Sequence, residues 1–265
     1  MRGDRVEFHD PLTADDFADA ADVSVAYKVR TRAAKARASE DSNAVTGRIY
    51  PAPETPRDVH AKVTESAVVV TWAEAALPPG ASSRAYRVYR GVLETGQENP
   101  PQDVSTAKLK TSLELLGPSP SAEFRDAHFE FGTPYIYTVR NVAQFGTDFV
   151  ESADSAPAVV TPRDVFPPAA PTGLEITMIP ATNQVPAYIE LSWAISPEGD
   201  LAGYSVYRSD AEVAPGERVS TEILPSPTFR DISVLSGKRY YYRVSALDRA
   251  GNESLKSLAV VADVP

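Results

Sequence analysis

Hydrophobic and polar positions alternate at period two in short stretches along the chain. Val68-Val69-Val70-Thr71-Trp72, Tyr86-Arg87-Val88-Tyr89-Arg90, Ile189-Glu190-Leu191-Ser192-Trp193 and Tyr204-Ser205-Val206-Tyr207-Arg208 all read this way. They are rich in branched and aromatic residues, the signature of half-buried β-strands. Proline and glycine clusters punctuate them: Leu77-Pro78-Pro79-Gly80, Gly117-Pro118-Ser119-Pro120, Pro215-Gly216 and Ala250-Gly251-Asn252. No amphipathic helical pattern lies between these strands, so an all-β chain is expected. One stretch reads differently. Thr13-Ala14-Asp15-Asp16 is a helix-capping signature before an alanine-rich run and predicts a helical turn over residues 13–20. The alternation of Val23, Val25, Tyr27 and Val29 predicts a strand after it.

The pattern repeats. The Trp strand and the Tyr-x-Val-Tyr-Arg strand each occur twice, in the same order. A proline-flanked Phe124-Arg125-Asp126 returns as Phe229-Arg230-Asp231. Residues 132–139, with Tyr135, Tyr137 and Val139, return as residues 237–244, with Tyr240, Tyr242 and Val244. A partial third copy stands first: Phe8-His9-Asp10 aligns with the Phe-Arg-Asp sites, and Tyr27-Lys28-Val29 with the later Tyr-x-Val. Nothing in that copy precedes its Phe-x-Asp. Proline-rich segments at residues 50–56 and 162–171 mark semi-rigid boundaries. They predict a partial module over 1–50 and complete modules over 51–162 and 163–265.

These motifs resemble the fibronectin type III domain, a seven-stranded immunoglobulin-like β-sandwich, over nearly the whole chain. The resemblance implies a core tryptophan at the end of strand B, matched by Trp72 and Trp193, with Phe124 and Phe229 in the same cores. It implies a "tyrosine corner" opening strand F, matched by Tyr135 and Tyr240. Val25 holds the corner position in the first copy, so that bond is not expected there. Residues 197–204 and 248–254 look like modules of bacterial secreted or surface proteins, lipoproteins among them. The fold alone says little about activity. The middle copy carries extra residues within 93–116, expected as an enlarged loop, and residues 178–187 lengthen the first hairpin of the last copy.

Composition narrows the function classes. The chain has 265 residues and no cysteine, which excludes disulfides, thiolate metal sites and cysteine nucleophiles. The net charge of −10 disfavours nucleic acid as a partner. No run of apolar residues is long enough to span a bilayer, so no direct membrane insertion is expected. The three histidines, His9, His60 and His128, form no triad or metal-spacing motif, so no catalytic residue, metal ligand or cofactor is assigned. Asp10, Asp126 and Asp231, each two residues after a phenylalanine, are expected to fix a turn through backbone amides. Arg2-Gly3-Asp4 is read as coincidence. Lys28, Arg30, Arg32, Lys35 and Arg37 are read as a solvated basic face.

The candidate binding face is aromatic. If Tyr204, Val206, Tyr242 and Val244 point inward, then Tyr207, Tyr241 and Arg243 point outward. Arg87 and Tyr89 hold the same face of the middle module. Tyrosine and arginine are the residues favoured at interaction hot spots. The expected function is a non-enzymatic, monomeric spacer of an extracytoplasmic or cell-surface protein, binding a protein or polysaccharide. The alternative is a set of accessory modules from a secreted polysaccharide-degrading enzyme.

Overall fold

The computed structural model describes residues 7–10, 23–32, 38–94 and 101–265. The helical turn expected over 13–20, the Arg2-Gly3-Asp4 tripeptide, Lys35 and Arg37 lie outside them. The chain divides into two compact units, Met1–Arg163 and Asp164–Pro265.

The first unit opens with an antiparallel pair, β1 (Val23–Tyr27) and β2 (Val45–Ile49). A sandwich follows, built from β3 (Arg57–Val63), β4 (Val68–Ala73), β5 (Ser83–Leu93), β6 (Leu109–Ser119), β7 (Glu123–Asp126), β8 (Tyr135–Phe145), β9 (Asp148–Glu151) and β10 (Ala158–Val160). One sheet runs β3-β4-β7, the other β10-β8-β5-β6, with β9 on the far half of β8. Within 93–116, residues 109–116 belong to a strand and Val104–Thr106 to a 3-10 turn, so the insertion is part strand and part loop. Lengthened β5 and β6 continue one ladder as far as Leu93 opposite Leu109. Gly91 allows this, because a Cβ there would stand 3.1 Å from Leu113 and 3.3 Å from Leu109. The strand β9 exceeds the seven expected: Gly146, at φ 60, turns the chain so that Asp148 pairs with Phe145.

The second unit has seven strands: β11 (Glu175–Ile179), β12 (Tyr188–Ser192), β13 (Leu201–Ser209), β14 (Glu217–Arg218), β15 (Thr228–Asp231), β16 (Arg239–Asp248) and β17 (Val260–Asp263). Its sheets run β11-β12-β15 and β14-β13-β16-β17.

Period two places the repeated residues in two equivalent cores. Trp72 and Trp193 are buried, each edge-on to a buried tyrosine, Tyr86 at 5.1 Å and Tyr204 at 5.3 Å. Phe124 and Phe229 are partly buried against the same clusters. The hydroxyl oxygens of buried Tyr135 and Tyr240 accept backbone N–H bonds from five residues upstream, Glu130 at 3.0 Å and Leu235 at 3.3 Å. These are tyrosine corners.

Between the sheets runs a polar staple. Asp231, on β15 of one sheet, is 2% exposed. Its Oδ2 accepts from Tyr242 Oη at 2.8 Å and Arg208 Nη1 at 2.7 Å, both from the other sheet. Its Oδ1 accepts the Ser233 N–H at 2.9 Å and so holds the turn. The first unit repeats the set: Asp126 takes Tyr137 at 2.8 Å, Arg90 at 2.7 Å and the His128 N–H at 3.0 Å. Each arginine also covers a corner ring, Arg208 over Tyr240 at 4.8 Å and Arg90 over Tyr135 at 5.1 Å.

A second repeat, Ser-x-x-Ser, links the last two strands. Ser257 Oγ accepts the Val244 N–H at 3.0 Å, and Ser254 Oγ accepts the Ala246 N–H at 2.9 Å. Ser155 and Ser152 do the same for Val139 and Asn141, and Ser42 and Ser39 for Val29 and Thr31. Hydroxyls thus replace ladder carbonyls where the final strand bends away.

Two stability predictions follow from these cores. Trp72→Ala and Trp193→Ala should each cost about 3–5 kcal/mol in the sandwich they occupy, read by urea melts of the chain; wild-type melting of both would disprove the core assignment. Burial raises the Asp231 carboxyl, but the Ser233 hydroxyl and N–H, Tyr242 and Arg208 outweigh it and hold it below its ordinary 3.8. The staple's contribution is therefore complete above about pH 4 and is lost as the pH falls through the depressed native value. Asp231→Asn should cost about 3 kcal/mol at neutral pH, because it leaves Arg208 without its counter-ion. It should also flatten the acid limb of the stability curve of the second unit. An unchanged acid limb would rule the staple out.

Candidate functional site

In the second unit, polar and aromatic side chains of the β13–β16 face line one groove of about 620 Å³. Tyr207 and Arg243 are direct cross-strand partners on β13 and β16. Both are half-buried and line the groove, as their outward register predicts. Tyr241 lies two residues back along β16, opposite Ser209 and Val261, outside the groove lining. The other lining residues come from segments that period two does not register: the 213–215 turn and residues 253–257 after the hairpin tip.

The groove is electrostatically organised. Tyr207 Oη donates to Glu253 Oε1 at 2.5 Å, and Lys256 Nζ stands 3.5 Å from the Tyr207 ring centroid. Lys256 also donates to the Pro215 carbonyl at 2.8 Å. Arg243 donates to the carbonyls of Ala214 and Glu212, which pins the turn over the sheet. Burial opposes ionisation of Glu253, but hydrogen bonds from Ser245 and Tyr207, with Lys256 and Arg218 nearby, hold its carboxyl below the ordinary range. Burial lowers Lys256, and Arg243 adds to the effect against the opposing pull of Glu253. Burial and the bond to Glu253 push the Tyr207 phenol up. Arg218 and Lys256 thus stand near the Glu253 carboxylate, while Arg243 bonds the turn beside it. The rim is apolar, with Val213 and Leu255 both exposed.

The matching face of the middle sandwich is spent on itself. Arg87 pairs with Glu151, and Arg140 bridges Glu151 at 3.2 Å and Asp154 at 2.7 Å. Arg140 also covers Tyr89 at 4.7 Å. In the first copy, Lys28 and Arg30 pair with Asp41.

A carboxylate trio lies elsewhere in the second unit. One oxygen each of Asp164, Asp200 and Asp248 falls within 4.8 Å of the others. Oxygen-only donors suit a hard divalent cation. Asp248 is buried and already accepts the Asn252 N–H and Nδ2, each at 2.8 Å. Asn252 Nδ2 also reaches the Asp164 carbonyl at 3.3 Å, which ties the start of the unit to its hairpin corner.

No family model matches the chain. Exoglucanase B of Cellulomonas fimi is 28% identical over 254 residues, 91% of this chain and 20% of that protein. The amylopullulanase of Thermoanaerobacterium saccharolyticum is 38% identical over 74 residues, 28% of this chain and 6% of that protein. Sidekick-1 of Mus musculus is 24% identical over 247 residues, 85% of this chain and 11% of that protein. The chain therefore spans a fifth or less of these relatives. Among solved structures, a two-domain fibronectin type III segment from chicken tenascin shares 18% identity at a TM-score of 0.44, covering 80% of this chain and all of that one. The FN1–FN3 domains of chicken CNTN1 share 18% at 0.36, covering 90% of this chain and 77% of that one. In sheet order, tyrosine corners and core tryptophans, the two complete sandwiches have the immunoglobulin-like fold that the fibronectin type III resemblance implies, repeated in tandem.

Proposed function

We propose that the chain is a non-enzymatic spacer and interaction segment of an extracytoplasmic or cell-surface protein. The observation that carries this reading is the groove of the second unit. The core beneath it holds the sandwich together, while an aromatic ring, two cations and an apolar rim stand together at the surface. A tyrosine and an arginine side by side on a rigid sheet lose little conformational entropy on binding. The proline-rich boundary at residues 162–171 suits a semi-rigid spacer. The partner is a protein or a polysaccharide, and the chain acts as a monomer. An extracytoplasmic location fits relatives whose names denote enzymes of polymeric glucans.

A second reading has an observation of its own. Similarity to exoglucanase B extends over 91% of the chain, so more than one module is shared. In this reading the modules are accessory parts of a polysaccharide-degrading enzyme, and catalysis belongs to a domain outside these residues.

Screening the whole chain against polysaccharide and protein arrays should return a ligand whose affinity falls at least tenfold in Tyr207→Ala and in Lys256→Glu, with melting of both variants unchanged. Unchanged affinity in both would remove this face from the function. For the accessory reading, fusing the chain to a glucanase catalytic domain should raise turnover on insoluble polymer and leave soluble substrate unaffected. Equal turnover with and without the chain would exclude it.

A further inference from the structure

The middle copy alone carries a lengthened hairpin after its corner strand. From the repeated valine to the serine that caps it, the interval is 16 residues for Val139 and Ser155, against 13 for Val29 and Ser42 and 13 for Val244 and Ser257. The additional residues form the tip that pairs β9 with β8, where Asp148 stands opposite Phe145. In the second unit the same corner closes through one turn, with the Asp248 N–H on the Asn252 carbonyl at 3.1 Å. No counterpart of β9 is present there among the described residues.

The tip is braced from below. Gln144 Oε1 accepts from Ser83 Oγ of β5 at 2.8 Å, and its Nε2 donates to the Gly146 carbonyl at 2.9 Å. The Gln144 carbonyl takes the Ser82 N–H at 2.8 Å. The tip is also occupied. Tyr50, the first residue after β2, lays its ring on Phe145, with centroids 4.5 Å apart and planes at 18°. Its Oη donates to Asp148 Oδ2 at 2.8 Å. Phe145 is 4% exposed beneath that ring, whereas Phe149 on the same tip is 64% exposed. The bond to Asp148 raises the Tyr50 phenol above its ordinary value, and Arg48 of β2 acts against the rise.

The chain beyond Tyr50 is pinned to the middle sandwich as well. Asn141 Nδ2 of β8 donates to the Glu54 carbonyl at 3.2 Å, and Pro53 and Pro56 are buried. Arg57 already stands in β3 opposite Ala73. On the other side, Ile49 is paired with Val23 in β2. Ile49 and Tyr50 are thus consecutive and separately fixed, one to the strand pair and the other to the hairpin tip. The joint is a single peptide link, which is planar. Neighbouring domains turn independently unless their joint is fixed, and here it is fixed from both sides.

We propose that the extension of the β8–β9 hairpin is a coupling arm: it seats Tyr50 on Phe145 and Asp148 and makes the β1–β2 pair and the middle sandwich turn as one rigid body. The ring stack buries apolar surface, and the Asp148 bond fixes the direction of the ring. Stiffness at this joint then comes from the seated tyrosine rather than from the prolines of residues 50–56. The coupling is independent of ligand binding at the groove of the second unit.

Backbone amide relaxation, measured by NMR on the whole chain, is the test. In the wild-type chain the amides of β1 and β2 should share the rotational correlation time of β3–β10. In Tyr50→Ala their correlation time should fall by about a third or more below that of the sandwich. Asp148→Ala leaves the strand pair and the linker intact and should shift it in the same direction. Cross-strand NOEs between Val23 and Ile49 should persist in both variants. Two distinct correlation times in the wild-type chain would overturn the proposal, as would one shared value in both variants. Loss of those NOEs in Asp148→Ala would overturn it too, because the arm would then serve to fold the pair and not to orient it.

Discussion

The cross-sheet carboxylate holds the two sheets in one register. Hydrophobic burial drives the sheets together but is non-directional, so many small slips would bury nearly the same area. Asp231 removes that freedom. It lies at the end of β15, and its two oxygens meet an arginine from β13, a tyrosine from β16 and the amide of its own turn. All of these are satisfied only in one alignment. Because the group is buried and charged, a partly satisfied arrangement is costly. Asp126 imposes the same condition on the middle sandwich. The arginine then covers the corner tyrosine, so the polar staple and the aromatic core are one assembly.

That assembly explains which parts of the chain are free to vary. The β5–β6 hairpin of the middle module is longer than its β13–β14 counterpart because its ladder continues, with Gly91 making room for Leu109 and Leu113. The hairpin tip of β8 and β9 gained a paired extension. Both changes lie beyond the stapled segment. The outer faces diverged in the same way. In the middle module the arginines on the face are matched with acids, whereas in the last module Arg243 bonds the carbonyls of a turn and an apolar rim stands beside it.

Much of this was legible in the sequence, for identifiable reasons. Trp72, Trp193, Tyr135 and Tyr240 were readable because period two and repetition are local signals. The side-by-side placement of Tyr207 and Arg243 followed from strand register alone. Asp126 and Asp231 were read as turn-formers, which they are, but their arginine and tyrosine partners come from another sheet, and no local pattern shows that. The Ser-x-x-Ser motif passed unnoticed because serines are common in loops. The available signal was its spacing, 13, 16 and 13 residues after Val29, Val139 and Val244. The insertion is in part the loop that was expected, and its strand part, residues 109–116, was missed because composition does not reveal how far a hairpin ladder continues. Glu253, Lys256 and Pro215 reach the groove from turns, where side-chain direction follows no period.

The hydroxyl-for-carbonyl substitution in the last strand has a mechanical consequence. In the second unit β17 pairs with β16 over only four residues, and the bend before it is held by Ser254 and Ser257. A pull applied at the end of the chain acts first on these few bonds. The staple, on β13, β15 and β16, lies inboard of that load path. Each module should therefore yield in two stages under tension, first shedding its final strand as a short slack and only then rupturing.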